Sequence, residues 1–170
     1  MTTTAILGLG NMGKGLAKRL AGKTQLVLGA SNPAAAKEFA GSVGADVTDY
    51  QGAVLAADIV ILALPYGAAL ELAGKLPLSG KIVVDISNPA KADFSGLAIG
   101  HTTSAAEELQ AAAPSAKFVK GYNTIFASLF DTPASATQNV PVFLAGNDAA
   151  AVDAVAELVK ASGFAVEKVG

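Results

Sequence analysis

Three glycines near the amino terminus have the spacing that a phosphate-binding loop requires. Gly8, Gly10 and Gly13 form the pattern G-x-G-x-x-G directly after the apolar run Thr3–Leu7. The first glycine permits a tight turn, the second lets the backbone approach a pyrophosphate, and the third lets helix and strand pack closely. The pyrophosphate then meets free N–H groups at the positive end of the helix dipole. Because the pattern lies between a strand and a helix, it predicts a dinucleotide site. The residues expected to bind the cofactor here are Gly8, Leu9, Gly10, Asn11, Met12 and Gly13.

The end of the second predicted strand indicates which dinucleotide is bound. Folds selective for NAD place Asp or Glu there, about 20 residues after the loop, to bind the ribose 2′-hydroxyl. The stretch from Leu28 to Asn32 has no acidic residue. A carboxylate about 4 Å from the 2′-phosphate of NADP would cost roughly 4 kcal/mol per unit charge. Ser31 and Asn32 can donate to that phosphate, and Lys37 is near enough in sequence to add a charge. The sequence therefore predicts NADP, with a simple helix cap as the alternative role for Ser31 and Asn32.

Groups that move protons or bind metals are scarce in this chain. His101 is the single histidine, and its glycine-rich surroundings favour an exposed, idle side chain over a catalytic one. Cysteine is absent, which excludes disulfides, thiolate nucleophiles and cysteine metal sites. No nucleophile with its base, paired carboxylates or metal-ligand spacing is evident, so we expect no catalytic side chain and no metal. A hydroxy-acid dehydrogenase is disfavoured, because it needs a general acid or base for the alcohol proton.

Apolar periodicity supplies the elements that position these residues. Short β-branched runs alternate with amphipathic stretches, and the runs Asp58–Leu64 and Lys81–Ser87 are typical of buried parallel strands. Ser104 and Glu107 form a capping-box pattern after a long loop at 88–103. The alternation predicts an α/β, Rossmann-like, doubly wound and mostly parallel sheet, in a single domain spanning residues 1–170. The other expected strands are 3–7, 25–28, 45–47, 117–122, 140–145 and 164–168, and the expected helices include 12–21, 33–39, 67–75 and 148–161, with a short one capped by Asp49.

Charge and hydropathy exclude several classes of partner. The net charge is −2 and the basic residues are scattered, so no basic stripe exists to neutralise nucleic acid. The longest strongly apolar stretch, Ile59–Leu64, is too short to cross a bilayer. The amino terminus has no signal-peptide pattern. We therefore expect neither a nucleic-acid nor a membrane partner, and a cytoplasmic location.

Four segments occur in the same order as in a known group of enzymes. They are Ile6–Leu20, Ala63-Leu-Pro-Tyr66, Val83-Val-Asp-Ile-Ser-Asn-Pro89 and Val119-Lys-Gly-Tyr-Asn-Thr-Ile-Phe126. With them the chain resembles the NADP oxidoreductases that depend on the deazaflavin coenzyme F-420, and it is similar to the cytosolic domain of six-transmembrane ferric reductases. The resemblance covers essentially the whole chain. The last two segments are the specific ones, since hydroxyisobutyrate-type and pyrroline-carboxylate reductases share the first.

The resemblance implies hydride exchange between NADPH and a deazaflavin (F-420) or flavin stacked on the nicotinamide. Alignment and closeness carry such a reaction, so missing acid–base residues are expected. The implied partner is a small-molecule redox co-substrate, and a homodimer is compatible with the resemblance. The cofactor's path would be lined by Leu64, Pro65 and Tyr66, and the nicotinamide would lie near Asn88 and Pro89. The shelf for the second ring would be formed by Asn123, Thr124, Ile125 and Phe126. The alternative for this last group is the buried start of a helix.

The chain also departs from that family's pattern, and other functions stay open. The family often has Arg where this chain has Asn32. It usually continues with a helical carboxyl-terminal segment, so this chain would be a shortened version or use a different acceptor. The alternatives are a ferric or quinone reductase that borrows a flavin, and an NADP sensor or electron-delivery module. An enzyme needs an open, ring-sized cleft beside Pro89 and Thr124, whereas a sensor could have that space filled.

Overall fold

The computed structural model describes residues 1–170, and its centre is a six-stranded sheet in which every neighbouring pair is parallel. The strands are β1 (Thr3–Leu7), β2 (Gln25–Gly29), β3 (Asp46–Thr48), β4 (Ile59–Leu62), β5 (Ile82–Asp85) and β6 (Lys117–Lys120). Their order across the sheet is β3-β2-β1-β4-β5-β6. The predicted Rossmann-like, doubly wound fold is confirmed. The order reverses between β1 and β4, and open α/β sheets bind ligands at such a switch point.

Helices cover both faces of this sheet. The helices are α1 (Asn11–Leu20), α2 (Pro33–Ser42), α3 (Tyr50–Ala56), α4 (Tyr66–Ala73), α5 (Ala105–Ala112), α6 (Ala134–Thr137) and α7 (Ala149–Ala161). Helices α1, α2 and α7 pack in one apolar layer, and α3, α4 and α5 pack in the other. None of the seven is both long and apolar enough to cross a membrane.

The apolar runs of the sequence become fully buried strands. In β1 the side chain of Ile6 belongs to one layer, while Ala5 and Leu7 belong to the other, as the alternation of a strand requires. All four residues of β4 are buried, because helices cover the sheet on both sides. The core therefore fixes the register of the strands whose carboxyl ends carry the predicted site.

The predicted helix starts are confirmed by their caps. The side-chain oxygen of Asn32 accepts a hydrogen bond from the backbone N–H of Ala35 at 3.2 Å, and Pro33 is the first helical residue. In the capping box, the Ser104 hydroxyl accepts from the N–H of Glu107 at 3.3 Å, and the Glu107 carboxylate accepts from the N–H of Ser104 at 2.7 Å. Local sequence therefore determines where these helices begin.

The carboxyl-terminal third departs from the prediction in two respects. The strands β7 (Pro141–Leu144) and β8 (Ala165–Lys168) form a separate parallel pair. Backbone hydrogen bonds of 2.8 and 3.2 Å between Lys120 and Ala145 join this pair to β6 in the antiparallel sense. A 3-10 helix at Ala127–Asp131 and the short α6 were not predicted, because they are too short to show a periodic apolar pattern.

Candidate functional site

The glycine loop after β1 is shaped by two close backbone approaches. Gly8 has a φ of +96°, in the left-handed region that glycine adopts at little cost. A side chain on Gly8 would overlap the carbonyl oxygen of Ala63, and one on Gly13 would overlap the carbonyl oxygen of Gly8. These two glycines thus let β1, α1 and the end of β4 come together. The turn and the close helix–strand packing that the pattern predicts are therefore due to Gly8 and Gly13.

Gly10 has a different role, because its surroundings are open. A Cβ atom built on Gly10 has no heavy atom within 4 Å. Gly10 is the N-cap of α1, and no side chain caps this helix. The first helical bond in the loop runs from the N–H of Lys14 to the carbonyl of Gly10 at 2.9 Å. The N–H groups of Asn11, Met12 and Gly13 precede that bond and are free to bind an anion.

A cavity of about 320 Å³ lies beside the loop, at the carboxyl end of β2. Ser31 and Asn32 line it as predicted, but Lys37 does not. Lys37 is exposed on α2, whereas Ala35, Ala36 and Phe39 of that helix face the cavity. The cation in this cavity is Lys14 of α1, whose Nζ lies 5.4 Å from the ring centroid of Phe39. The positive charge predicted for this place therefore comes from another helix.

The residues after β4 adjoin the same loop. The Leu64 side chain lies against Gly8, with its Cδ2 atom 2.7 Å from the position of an added Cβ. Pro65 is the N-cap of α4, and Tyr66 is its first residue. The Tyr66 hydroxyl donates a hydrogen bond to the Glu108 carboxylate of α5, and this bond together with burial raises the pKa of Tyr66 to about 12. Its hydroxyl thus joins α4 to α5.

The ends of β5 and β6 meet through two asparagines. The Asn88 side-chain nitrogen donates to the backbone carbonyl of Asn123 at 2.9 Å, and the Asn123 side-chain nitrogen donates back to the Asn88 side-chain oxygen at 3.4 Å. The family resemblance implied a place near the nicotinamide for Asn88 and one near the second ring for Asn123. The structure brings these two residues into direct contact.

An ion pair is formed by the residues three positions before each asparagine. Asp85 and Lys120 are register partners at the ends of β5 and β6. The Lys120 Nζ donates to the Asp85 carboxylate at 2.8 Å and also to the carbonyl of Ser87. The Asp85 side chain is fully buried, and that of Lys120 is 21% exposed. Sequence reasoning missed this pair. The sequence does show an acid at the end of one apolar run and a lysine at the end of another. Pairing the two requires knowing that β5 and β6 are neighbours in the sheet.

A larger cavity, of about 550 Å³, opens between these strand ends, the loop after β5 and the start of α5. Small-molecule sites occupy about 300–1,000 Å³. Asn88, Pro89 and Asn123 line it, together with Lys120. Its remaining walls include apolar residues that the sequence did not single out, namely Leu97, Ile99, Ala105 and Phe118.

The predicted shelf at 123–126 needs a correction at Ile125. This side chain is 7% exposed and belongs to the core, so it cannot form the surface of a shelf. Thr124 is exposed but does not line the large cavity, and the Phe126 side chain is 79% exposed. The cause lies at Tyr122, a buried residue with a φ of +59° that turns the chain after β6.

Comparison with known proteins identifies the family. The family described as NADP oxidoreductase, coenzyme F420-dependent, matches residues 3–89, just over half of the chain. The chain belongs to this family. Metalloreductase STEAP3 of Rattus norvegicus is 33% identical over 164 residues, which are 94% of this chain and 32% of that protein. The chain thus spans about a third of the length of this curated relative.

Two solved structures from bacteria resemble this oxidoreductase chain along its whole length. A putative F420-dependent NADP reductase from Arthrobacter sp. FB24 has a TM-score of 0.84 at 32% identity, and a protein of Sinorhizobium meliloti has a TM-score of 0.86 at 31% identity. Each comparison covers 100% of this chain and 85% of the other. The similarity therefore extends through residues 90–170, beyond the family match.

The glycine loop fits the NADP of this family of oxidoreductases. Gly10 leaves open the space that a pyrophosphate would occupy, and the uncapped N–H groups of α1 point to an anion. The first turn of α1 has no acidic residue, and no acid lines the cavity at the end of β2. Asn11, Met12 and Gly13 would hold the pyrophosphate through their backbone, and Ser31 and Asn32 would face the ribose.

Proposed function

We propose that this chain transfers a hydride between NADP(H) and a planar deazaflavin or flavin acceptor. The observation that carries the proposal is the open cavity of about 550 Å³ beside Asn88, Pro89 and Asn123. Asn88 and Asn123 hydrogen-bond to each other, so one residue assigned to each ring borders the same cavity. A sensor would need no such cleft next to the nicotinamide. A cytoplasmic location belongs to the same proposal, since a chain without cysteine suits a reducing compartment.

The chain's own residues would act by binding and alignment. When bound, NADPH supplies the hydride that the acceptor ring takes up. The N–H groups at the start of α1 hold the pyrophosphate, while the asparagine pair fixes the spacing between the ends of β5 and β6. Pro89, Leu97 and Ile99 give the cavity an apolar wall against which a ring face can pack. Holding two reactants in contact contributes up to about 7–11 kcal/mol to lowering a barrier.

Parallel assays of NADPH oxidation would test the acceptor. F-420, FMN and a ferric chelate would be offered separately to the purified protein, with the variant Gly10→Val as the control for uncatalysed reduction. We expect turnover with F-420 or FMN that the control lacks. Turnover with the ferric chelate alone would favour a metal reductase, and tight NADPH binding without any turnover would favour a sensor.

Ferric reduction is the second candidate, because the chain is 33% identical to a metalloreductase. A hydride carries two electrons, whereas a ferric ion accepts one. A flavin in the large cavity could take both and release them singly, so free FMN should accelerate ferric reduction. No acceleration by FMN would count against this route.

Cofactor preference is expected to depend on Lys14. Lys14 shares a cavity with Ser31 and Asn32. The helix cap uses only the side-chain oxygen of Asn32, so the side-chain nitrogen of Asn32 can still donate a hydrogen bond. A hydrogen bond to a charged group contributes about 1.5–3 kcal/mol. Lys14→Met should therefore weaken NADPH binding roughly 10- to 100-fold and leave NADH binding unchanged.

Lys37 provides the matched control for this prediction. Lys37→Met removes the same charge from α2, and we expect it to change NADPH affinity less than about threefold, since Lys37, unlike Lys14, does not line the cavity and its charge acts only through solvent. Calorimetric titration of both variants with NADPH and NADH gives the comparison. Equal losses in the two variants would contradict the assignment to Lys14.

His101→Ala is expected to leave hydride transfer within about threefold of the parent rate. His101 is exposed in the loop after β5 and does not line the large cavity. A general acid or base contributes about 10²–10⁴-fold, so a catalytic histidine would be obvious in single-turnover kinetics. A hundredfold loss would point instead to a carbonyl or imine substrate.

A further inference from the structure

The ion pair between Asp85 and Lys120 is costly to build in this position. The Asp85 side chain is fully buried and that of Lys120 is 21% exposed. Removing two charges from water costs several kcal/mol each, and an apolar pair of similar size is often at least as stable. Fold stability alone therefore gives little reason for this pair. Its place is informative, because it lies at the carboxyl ends of two adjacent strands, where this fold binds ligands.

One N–H donor of the Lys120 ammonium group has no acceptor within the protein. An ammonium group has three N–H donors, and in this chain they bond only to the Asp85 carboxylate and the Ser87 carbonyl. The exposed part of the side chain lines the large cavity. The Ser87 hydroxyl, in the same turn, is the one buried side-chain oxygen without a hydrogen-bond partner. Unpaired polar groups call for an explanation, and for Lys120, which lines the cavity, a bound ligand supplies one.

We propose that the large cavity binds the polar edge of the acceptor ring, with the Lys120 ammonium donating to a ring oxygen or nitrogen. This inference rests on the hydride-transfer function proposed above and specifies its second ligand as a planar heteroaromatic ring with a carbonyl-bearing edge. The apolar wall formed by Pro89, Leu97 and Ile99 suits the ring face. Asn123, which also lines the cavity, offers a second polar contact.

The fixed charge of Lys120 would assist the reaction without moving a proton. One hydride leaves the dihydronicotinamide, which becomes a cation, and the acceptor ring gains two electrons, one hydrogen and a negative charge. That charge develops on the ring's nitrogen–carbonyl edge, which Lys120 faces, and solvent supplies any proton added later. The buried Asp85 holds the ammonium in place, so little reorganisation is needed during the transfer.

A double variant tests the proposal without leaving a buried charge unpaired. Lys120→Met alone would strand the Asp85 carboxylate, which could unfold the protein. Asp85→Asn combined with Lys120→Met removes both charges at nearly constant size. The matched control is Asp148→Asn with Lys117→Met, since that pair also joins an aspartate to a lysine of β6, at 2.9 Å, but is far more exposed. Asp148 is the N-cap of α7, and asparagine caps a helix about as well as aspartate does.

Binding of FMN to protein saturated with NADP⁺ is the primary measurement, made by calorimetry, with NADPH affinity and the rate of FMN reduction measured alongside. We expect the Asp85/Lys120 double variant to lose roughly 10- to 100-fold in FMN affinity, as for one charged hydrogen bond. Its NADPH affinity should stay within about threefold of the parent, and the control pair should match the parent in every measurement.

Each other outcome overturns the proposal in a recognisable way. If the double variant binds and reduces FMN like the parent, Lys120 does not contact the acceptor, although the hydride-transfer function stands. If it loses NADPH affinity by the same factor as FMN affinity, the cavity belongs to the nicotinamide. If the parent neither binds nor reduces F-420 or FMN, the proposed function fails and this inference fails with it.

Discussion

Replacing Gly10 with valine is expected to abolish NADPH binding while the protein stays folded. A Cβ atom on Gly10 has no protein atom within 4 Å, so the new side chain should enter the open space that we assign to the pyrophosphate. Losing two charge-assisted hydrogen bonds lowers affinity by at least about 100-fold. The backbone of Gly10 has a φ of −74°, which valine can adopt. Its cost as a poorer N-cap is about 1 kcal/mol.

Two further glycines make this experiment specific. Gly41→Val places the same side chain in open space on α2, and it should bind NADPH like the parent. Gly13→Val would overlap the carbonyl of Gly8 and should lower the melting temperature instead. Calorimetry with NADPH and thermal denaturation of all three variants separate the two effects. A folded Gly10→Val that binds NADPH normally would refute the phosphate-loop assignment.

Local patterns were enough to predict the fold and the glycine loop between β1 and α1. Buried parallel strands need continuous apolar runs, helix starts need caps such as Asn32 and Ser104, and the loop needs glycine at Gly8 and Gly13. Each requirement acts on neighbouring residues and is visible in the sequence. Parallel strands also bring their carboxyl ends to one edge, so the contact between Asn88 and Asn123 follows from the strand order.

Side-chain direction explains why Lys14, and not the predicted Lys37, lines the cavity at the end of β2. Both lysines are close to the predicted phosphate position in sequence. On α2, however, the buried positions Ala36 and Ala40 fix which face meets the sheet, and Lys37 lies outside it. Lys14 directly follows the last glycine of the loop and is exposed on α1, so it reaches the end of β2 from the neighbouring helix. Sequence distance was a poor guide because residues from two different helices line this cavity.

Tertiary packing alone determines the other differences. The turn of Tyr122 into the left-handed region is held by its burial and by a hydrogen bond between its hydroxyl and Ser162 at 2.9 Å. Nothing in the neighbouring sequence requires that turn, and it directs Ile125 into the core. The Asp85–Lys120 pair likewise joins residues 35 positions apart. Such features depend on which strands become neighbours.

Arg19→Met is expected to destabilise the protein by about 3–5 kcal/mol. Arg19 is the only arginine in the sequence, and its guanidinium lies 5.3 Å from the ring centroid of Phe164. It ties α1 to the segment 127–137 and to the end of α7 through five hydrogen bonds, each contributing about 0.5–1.5 kcal/mol. Their acceptors are the carbonyl oxygens of Leu129, Phe130, Thr132 and Ser162 and the hydroxyl of Thr137, at 2.7 to 3.2 Å.

Lys18, the residue before Arg19, provides a matched control for the Arg19→Met variant. Lys18 also reaches the segment 127–137, through an exposed ion pair with Asp131 at 3.4 Å, and exposed pairs contribute about 0–1 kcal/mol. Lys18→Met should therefore melt within about 3 °C of the parent, whereas Arg19→Met should melt roughly 10 °C lower. Arg19→Lys should fall between them, because an ammonium keeps the charge but cannot span five acceptors with its three donors. Equal melting temperatures for the two methionine variants would show that the segment is held by apolar packing around Phe130 instead.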